Sequence, residues 1–361
     1  MNAASILDEF LNDSSTNPLS KHDSLLIQAY NLVKKELVKS NYSFEQVQLA
    51  HKIYGYMGDQ GLNERVQLMR EFLQNNLEAS LENKFWANWE LVDNLALLKR
   101  YREMIEEQKL FFEWTTNNMS DQYLIKVMFD STQAIGWVQE NQEDEWFEIY
   151  NQLIKKVEPT SQNRHDRILL VETATGLLIY NLHRYHAAKI ELERYYDILN
   201  ENTNWDQYNR FYIRLKSYQL GLYSGQDDWE KYDDIVEDAK VKIRSSASRI
   251  SKEDKEAIDD VCDMAHELGT CLMWERRYEQ AIPLFEYALE NQGTGVTHFF
   301  YAICIWATRK DRNKTLHHLQ SAESSIRGNG GLRSRYIHMF LEQPEFQEVW
   351  DDEEFLSVFN R

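Results

Sequence analysis

The residues of this chain that could perform chemistry are few and scattered. His183 and His186 lie three positions apart, a spacing that could place two imidazoles on one metal ion. They fall at a predicted turn, where polar side chains are ordinary surface residues. Cys262 and His266 share one helix face, but Cys271 is out of phase with them, so the ligand set does not close. We therefore predict no metal, no cofactor and no enzymatic activity.

Glycine spacing and nucleophile patterns give no stronger indication of catalysis. The three glycines within residues 55–61 are not followed by the Lys-Ser/Thr pair of a phosphate-binding loop, and residues 328–331 are predicted to be a loop between helices. No segment has the pattern of the strained turn that presents a catalytic serine. His317 and His318 are predicted to be a solvated pair on a helix.

The composition favours a helical protein and disfavours nucleic acid or lipid as a partner. The 361 residues include only 4 prolines and 13 glycines, less turn punctuation than a β-rich or α/β protein of this length needs. Asp and Glu total 59 against 40 Lys and Arg, and the net charge of −19 repels phosphate backbones and anionic lipid. This acidity is typical of a solvated surface. The alternative is an acidic concave face that steers a basic protein or peptide partner.

The location of the protein is predicted from the segments that it lacks. Residues 1–10 include Asp8 and Glu9 and contain no apolar stretch of the length found in a secretion signal. No run approaches the roughly 18 apolar residues needed to cross a membrane. We therefore expect a cytoplasmic protein. The sequence does not determine its oligomeric state.

Apolar residues recur with a helical period from Leu25 to Val358, and no strand alternation interrupts them. The regularity of this apolar pattern differs along the chain, and these differences predict four segments. These are a weakly ordered N-terminal segment (1–24), an N-terminal helical bundle (25–80), degenerate helical repeats (81–261) and regular helix pairs with a capping helix (262–361).

One segment carries the clearest repeat. Residues 262–295 read CDMAHELGTCLMWERRYEQAIPLFEYALENQGTG, which resembles a tetratricopeptide repeat nearly position for position. Leu268 and Gly269 supply the large and small residues of the first helix. Tyr278 opens the second helix, and Ala281 is the small residue where the two helices cross, because close packing there leaves no room for a large side chain.

The repeat register extends on both sides of this segment. Residues 296–329 continue it without a gap, with Ala302, Ile303 and Thr315 at the corresponding positions. Upstream, aromatic residues predicted to open second helices recur at longer intervals, 39 to 49 residues. They are Tyr101, Trp146, Tyr185, Trp229 and Tyr278.

The end of the chain, from Met339, is similar to the ending of many bacterial tetratricopeptide arrays. Its apolar residues are predicted to cover the last repeat, and residues 351–354 to face water early in the final helix. The covering residues are Phe346, Val349, Trp350, Phe355 and Phe359. The resemblance implies an all-α fold, a tetratricopeptide-like (TPR-like) right-handed superhelix of antiparallel helix pairs with a C-terminal capping helix.

The resemblance also implies a binding surface, because first-helix residues that do not face the core line the concave groove of such arrays. Those predicted to contact a partner are His266, Thr270, Met273, Trp274, Tyr180 and Asn181. The first-helix positions considered carry no basic residue, unlike the set with which chaperone-binding members clamp a C-terminal carboxylate. A separate candidate is the aromatic hairpin containing Trp86 and Trp89, which would either be helix core or line a groove.

The predicted function is therefore a non-enzymatic scaffold that binds a protein or peptide segment in its concave groove. One alternative is a peptide-regulated signalling receptor like the bacterial Rap family, which joins an N-terminal helical bundle to such repeats. In that case a bound peptide would reshape the array. Another alternative is a fixed subunit of a larger protein assembly.

Overall fold

The structure is a computed structural model, and it describes residues 2–12, 19–128, 131–201, 203–251, 253–326 and 339–359. Within these ranges the regular secondary structure is entirely helical, which confirms the predicted all-α class. The predicted loop at 328–331 lies outside the described residues. None of the described helices is both long enough and apolar enough to cross a bilayer.

Contacts divide the chain into two compact units, Met1–Leu177 (the N-terminal unit) and Leu178–Arg361 (the C-terminal unit). The finer division into four segments stays a prediction. The segment 1–24, predicted to be weakly ordered, contains a ten-residue helix whose Ala3, Ile6 and Leu7 side chains are buried.

The N-terminal unit is a succession of helices, most of which pack on the next helix in the chain. The helices are α1 (Ala3–Asn12), α2 (Leu19–Lys39), α3 (Phe44–Tyr54), α4 (Gly58–Asn75), α5 (Leu81–Leu97), α6 (Tyr101–Asn118), α7 (Asp121–Met128), α8 (Ser131–Gln139), α9 (Glu143–Lys156) and α10 (Arg164–Gly176). A π-helix, Leu177–Asn181, follows α10.

The C-terminal unit is built of helix pairs. Its elements are α11 (Tyr185–Asn200), α12 (Tyr208–Gly225), α13 (Trp229–Ala247), α14 (Lys255–Trp274), α15 (Tyr278–Gln292), α16 (Gly295–Arg309), α17 (Arg312–Ile326), a 3-10 helix (Pro344–Val349) and α18 (Glu353–Phe359). The pairs α12–α13, α14–α15 and α16–α17 each pack together across a short turn. The first helices of these pairs also contact one another, α12 with α14 and α14 with α16.

One turn recurs along both units. The next-to-last residue of this turn has a positive φ, and the next helix begins two positions after it. These residues are Tyr42, Lys99, Asn141, His183, Asp227, Arg276 and Lys310.

The turn at Arg276 shows how this conformation ends a helix. The Arg277 N–H donates to the Leu272 carbonyl at 2.8 Å, and the Arg276 N–H donates to the Met273 carbonyl at 2.9 Å. The same two bonds close the turns at Lys99, Asn141 and Asp227. This is the Schellman motif, in which one left-handed residue satisfies the last carbonyls of a helix. Glycine usually holds that position, and none of these residues is glycine, so the sequence carries no obvious signal for the repeated turn.

Four of the five aromatic residues predicted to open second helices do so. Tyr101, Tyr185, Trp229 and Tyr278 begin α6, α11, α13 and α15. The prediction for Trp146 is wrong, because α9 begins at Glu143 and Trp146 is its fourth residue. Residues 143–145 are all acidic, and carboxylates are favoured in a first turn, where the helix dipole is positive.

The packing of α14 on α15 buries the residues that the predicted register places between the two helices. Leu268, Gly269, Ala281 and Phe285 are all buried where the two helices meet. A Cβ atom on Gly269 would lie only 2.9 Å from the Phe285 ring, so the glycine allows the aromatic side chain to approach. Pro283 is the sixth residue of α15, within its first two turns.

The capping segment, which begins at Met339, packs along α16. The Phe346 ring contacts Phe299 at 6.4 Å between centroids, and the Phe355 ring contacts Trp306 at 5.3 Å. Val349 is also buried, Trp350 is half-buried, and the Phe359 side chain lies outside the described part.

The residues at 351–354 do more than face water. Arg312, the first residue of α17, donates two hydrogen bonds to Asp352 at 2.8 and 2.9 Å and two to Glu354 at 2.6 and 3.0 Å. The Asp352 carboxylate also accepts from the Glu354 N–H at 3.0 Å, at the start of α18. These two carboxylates therefore tie the final helix to α17.

Candidate functional site

Helix α14 carries four of the eight residues predicted to bind a partner, and its start and inner face follow from its sequence. Asp254 caps the helix by accepting a hydrogen bond from the Ala257 N–H at 3.1 Å. Val261, Ala265 and Leu268 form its buried stripe. Since α14 contacts both α12 and α16, its remaining face is the middle of a surface that we call the first-helix surface (α12, α14 and α16).

His266 joins α14 to α16. Its Nδ1 atom lies 3.1 Å from the Thr297 hydroxyl, and its ring stacks on Phe300 at 5.8 Å with the two planes 11° apart. Burial lowers the pKa of His266 below 6.5, and this outweighs the opposite effect of the Glu267 and Asp263 carboxylates. The imidazole is therefore neutral at pH 7 and serves the packing of two helices.

The other predicted residues of α14 differ greatly in accessibility. The Thr270 hydroxyl donates to the His266 carbonyl at 2.8 Å, so it is already satisfied within the helix. Met273 is buried. Trp274, in contrast, is 56% exposed, and its ring meets Phe300 edge-on at 6.2 Å. Trp274 is therefore the accessible apolar group of this set.

A small pocket opens beside Trp274. It has a volume of about 110 Å³ and lies where α14, α15 and α16 meet the start of the 3-10 helix. Its walls include the apolar residues Met273, Ile303 and Pro344 and the polar residues Arg276, Gln343 and Glu345. The exposed indole thus stands at the edge of a recess of mixed polarity.

Tyr180 and Asn181, from the π-helix, are both exposed. Tyr180 is 54% exposed, yet its hydroxyl end lies over Gly221 of α12 and its ring is 6.4 Å from Tyr218. Burial of the hydroxyl raises the pKa of Tyr180, and Cys271 and Glu267 of α14 raise it further. The tyrosine therefore extends the first-helix surface beyond α12.

A charged pocket between α12 and α14 was missed by sequence reasoning. It has a volume of about 270 Å³, and Arg210 and Arg214 of α12 face Asp263 and Glu267 of α14 across it, beside His266. Arg210 Nη2 lies 3.8 Å from Asp263 Oδ2. The first-helix positions named from the sequence carry no basic residue, but they did not include α12, the helix that precedes Trp229.

The sequence contained a signal for that helix. Trp229 was predicted to open a second helix, so the residues before it had to form a first helix. Arg210 and Arg214 are spaced i and i+4 on it and share one face. The small residue Gly221 lies eight positions before Trp229, whereas Gly269 lies nine before Tyr278, and this shift by one obscured the repeat.

Trp86 and Trp89 belong to α5 of the N-terminal unit, and Trp86 packs between α5 and α3. The Trp86 ring contacts Phe44 at 5.3 Å and His51 at 5.4 Å, both from α3. Trp89 stacks on Phe85 at 6.4 Å. Both tryptophans are half-buried. The structure places this pair in one unit and the other six predicted residues in the other.

The candidates for metal and thiol chemistry have ordinary surroundings. Within the described ranges, no group of three or more His, Cys, Asp or Glu side chains is arranged to hold a metal ion. His183 and His186 are exposed. Burial raises the pKa of the Cys262 thiol to about 11 and that of Cys271 to about 12, so these thiols are protonated at pH 7.

No known protein-family model matches the chain. No curated protein matches it either. Among solved structures, it is similar to the crystal structure of Ton1535 from Thermococcus onnurineus NA1, with 14% sequence identity and a TM-score of 0.38. The match covers 99% of this chain and 98% of that one. A likeness this distant carries no argument about fold or function.

Proposed function

We propose that the C-terminal unit is a tetratricopeptide-like, right-handed array of antiparallel helix pairs that binds an extended protein or peptide segment. The alternation of first and second helices supports this, as do the contacts of α12 with α14 and of α14 with α16. The buried small residues at the α14–α15 crossing add to it. The array acts as a scaffold and performs no catalysis.

The observation that carries this proposal is the exposure of Trp274 on the first-helix surface. A tryptophan buries a large apolar area when it meets a partner, and such residues dominate the energy of many interfaces. Phe300 holds one edge of the indole, so little side-chain freedom is lost when a ligand packs on its open face. Tyr180 offers a second exposed ring on the same unit.

The charged pocket defines what else the segment must offer. Arg210 and Arg214 attract an acidic group, whereas Asp263 and Glu267 attract a basic one. A segment with both kinds of side chain would satisfy the pocket better than a purely basic one. The proposed partner therefore carries both acidic and basic side chains. It differs from a purely basic partner, which would be attracted only by the net charge of −19.

The test is a double substitution on the proposed surface with a matched control elsewhere. Trp274→Ala with Tyr180→Ala should weaken binding of the partner by about 2 kcal/mol or more, about 30-fold in Kd, because anchor residues contribute that much. Tyr196→Ala is the control, since Tyr196 is 48% exposed but lies on α11. Circular dichroism checks that every variant keeps its helices.

The partner is first obtained by pull-down from the native cell with mass spectrometry, and its affinity is then measured by titration. A short peptide would favour a receptor function, and a single stoichiometric protein would favour a fixed assembly. Unchanged affinity in the folded double variant would rule out the first-helix surface as the binding site.

A further inference from the structure

A pair of histidines joins α16 to α17. His298 and His318 are both half-buried, with their Nδ1 atoms 2.8 Å apart and their rings 5.0 Å apart. His318 was expected to be solvated together with His317. Only His317 is exposed, because neighbouring residues of a helix point about 100° apart and His318 turns toward α16.

The short contact between the two Nδ1 atoms requires a particular protonation state. A neutral imidazole has one N–H donor and one acceptor nitrogen, so one Nδ1–H can donate to the other Nδ1 lone pair. If both rings carry two protons, two N–H groups and two positive charges meet at that distance. The contact therefore persists only while the pair holds no more than one extra proton.

Most of the charged groups that face this pair disfavour its protonation. Lys314 and His317 lie beside it on α17, and their positive charges oppose protonation of His318. Tyr301 of α16 presents its ring to His318 at 4.7 Å, and its hydroxyl donates to Glu286 of α15 at 2.5 Å. Among the described residues around His318, Glu286 favours its protonation, and Lys314 already lies 3.5 Å from that carboxylate.

The histidine pair is connected to the first-helix surface by adjacent residues of α16. Thr297, next to His298, bonds to His266 of α14. Phe300, two positions further on, contacts both His266 and Trp274. A shift of α16 that follows the loss of its contact with α17 would therefore reach the indole of Trp274.

We propose that His298 and His318 form a pH-sensitive latch between α16 and α17, which opens in mild acid and alters the environment of Trp274. This regulation of the first-helix surface rests on the proposed function for its biological meaning. The opening itself does not depend on any ligand.

The direction of the effect follows from proton linkage. Burial lowers the pKa of both histidines, and it lowers that of His318 to about 4. In the open state each imidazole returns toward its usual value of about 6.5. Between pH 6.5 and 4 the open state therefore binds protons and the closed state does not. Acidification thus favours opening. Lowering the pH from 7.5 to 5 should raise the opening equilibrium about 10- to 30-fold for one such imidazole.

Hydrogen–deuterium exchange of the full chain measures this opening. After correction for intrinsic exchange rates, amide protection in α17 should fall about 10- to 30-fold between pH 7.5 and 5, since exchange there follows local opening. His318→Asn should abolish most of this pH dependence, because an amide supplies a polar group near the Nδ1 position that does not titrate. His317→Asn is the matched control and should keep it. His298→Asn provides a second test if His318→Asn does not fold.

Fluorine NMR tests the connection to the binding surface without a partner. The protein is labelled with 5-fluorotryptophan, and the Trp274 signal is assigned as the one lost in Trp274→Phe. That signal should shift between pH 7.5 and 5 in the wild type and in His317→Asn, but not in His318→Asn.

Each outcome decides the proposal. Unchanged α17 protection in the wild type between pH 7.5 and 5 would refute the latch. A loss of protection with a constant Trp274 signal would refute its connection to the surface. Neither result bears on whether the surface binds a peptide, which the Trp274 and Tyr180 variants test separately.

Discussion

The pairs α14–α15 and α16–α17 share one register, 34 residues apart, but fill it with different side chains. Where α14 has Gly269 against Phe285, α16 has Ile303 and α17 has Leu319 at the equivalent positions. All four residues are buried. A very small residue facing a large one has been replaced by two of intermediate size. Burial of both sets of residues therefore does not require one consensus residue at these positions.

The crossing residues differ in chemistry as well as in size. Ala281 of α15 corresponds to Thr315 of α17, and both are fully buried. The Thr315 hydroxyl has no hydrogen-bond partner among the described residues. A buried polar group left unpaired costs about 1–3 kcal/mol. The second pair therefore carries a cost in stability at this position that the first pair does not.

The largest expected effect comes from filling the tighter crossing. Ala281→Trp should lower the free energy of unfolding by about 3 kcal/mol or more, because the site has no room for an indole. Glu279→Gln, exposed and two residues away, should stay within about 0.5 kcal/mol of the wild type. Thermal denaturation of the two variants compares them, and equal midpoints would contradict the assigned register.

A smaller effect should show that volume is shared across the crossing. Gly269→Ile should destabilise the protein by about 2 kcal/mol, because its side chain would meet the Phe285 ring. Phe285→Leu alone should also destabilise it, by leaving a cavity. The double variant recreates the arrangement in α16 and α17. It should be more stable than the sum of the single changes implies, by about 1 kcal/mol or more in a double-mutant cycle. Strict additivity would mean that the two residues do not share a volume constraint.

The smallest expected effect is a gain. Thr315→Val has nearly the same shape and removes the unpaired hydroxyl, so it should leave stability unchanged or raise it by up to about 1 kcal/mol. Chemical denaturation at pH 7 provides the measurement. A clear loss of stability would show that the hydroxyl is satisfied and that the two crossings are closer in energy than their sequences indicate.

Local patterns allowed the all-helical character of the chain to be predicted, whereas the repeat register of the C-terminal unit stays a prediction. The helices that Tyr278 and Trp229 open could be predicted because the residues that begin and end a helix lie close together in the sequence. The residues that pack within one helix pair also lie close together. The α12 part of the candidate site depends on contacts between one pair and the next, and a shift of one residue at Gly221 hid the alignment. His318 was misjudged for a similar reason. Its partner, His298, is twenty positions away, and nothing at either position alone indicates the contact.

The turns that end with a left-handed residue, from Tyr42 to Lys310, have a consequence for how the chain folds. Each is closed by backbone bonds between residues at most six apart, so the elements that it joins are connected without a long loop. Little chain entropy is lost in forming such a pair, so folding can begin at several hairpins and spread to neighbours. Proteins dominated by contacts of this short range cross their folding barrier quickly for their size. A single left-handed residue, placed repeatedly, thus makes folding of the long chain a series of short local steps.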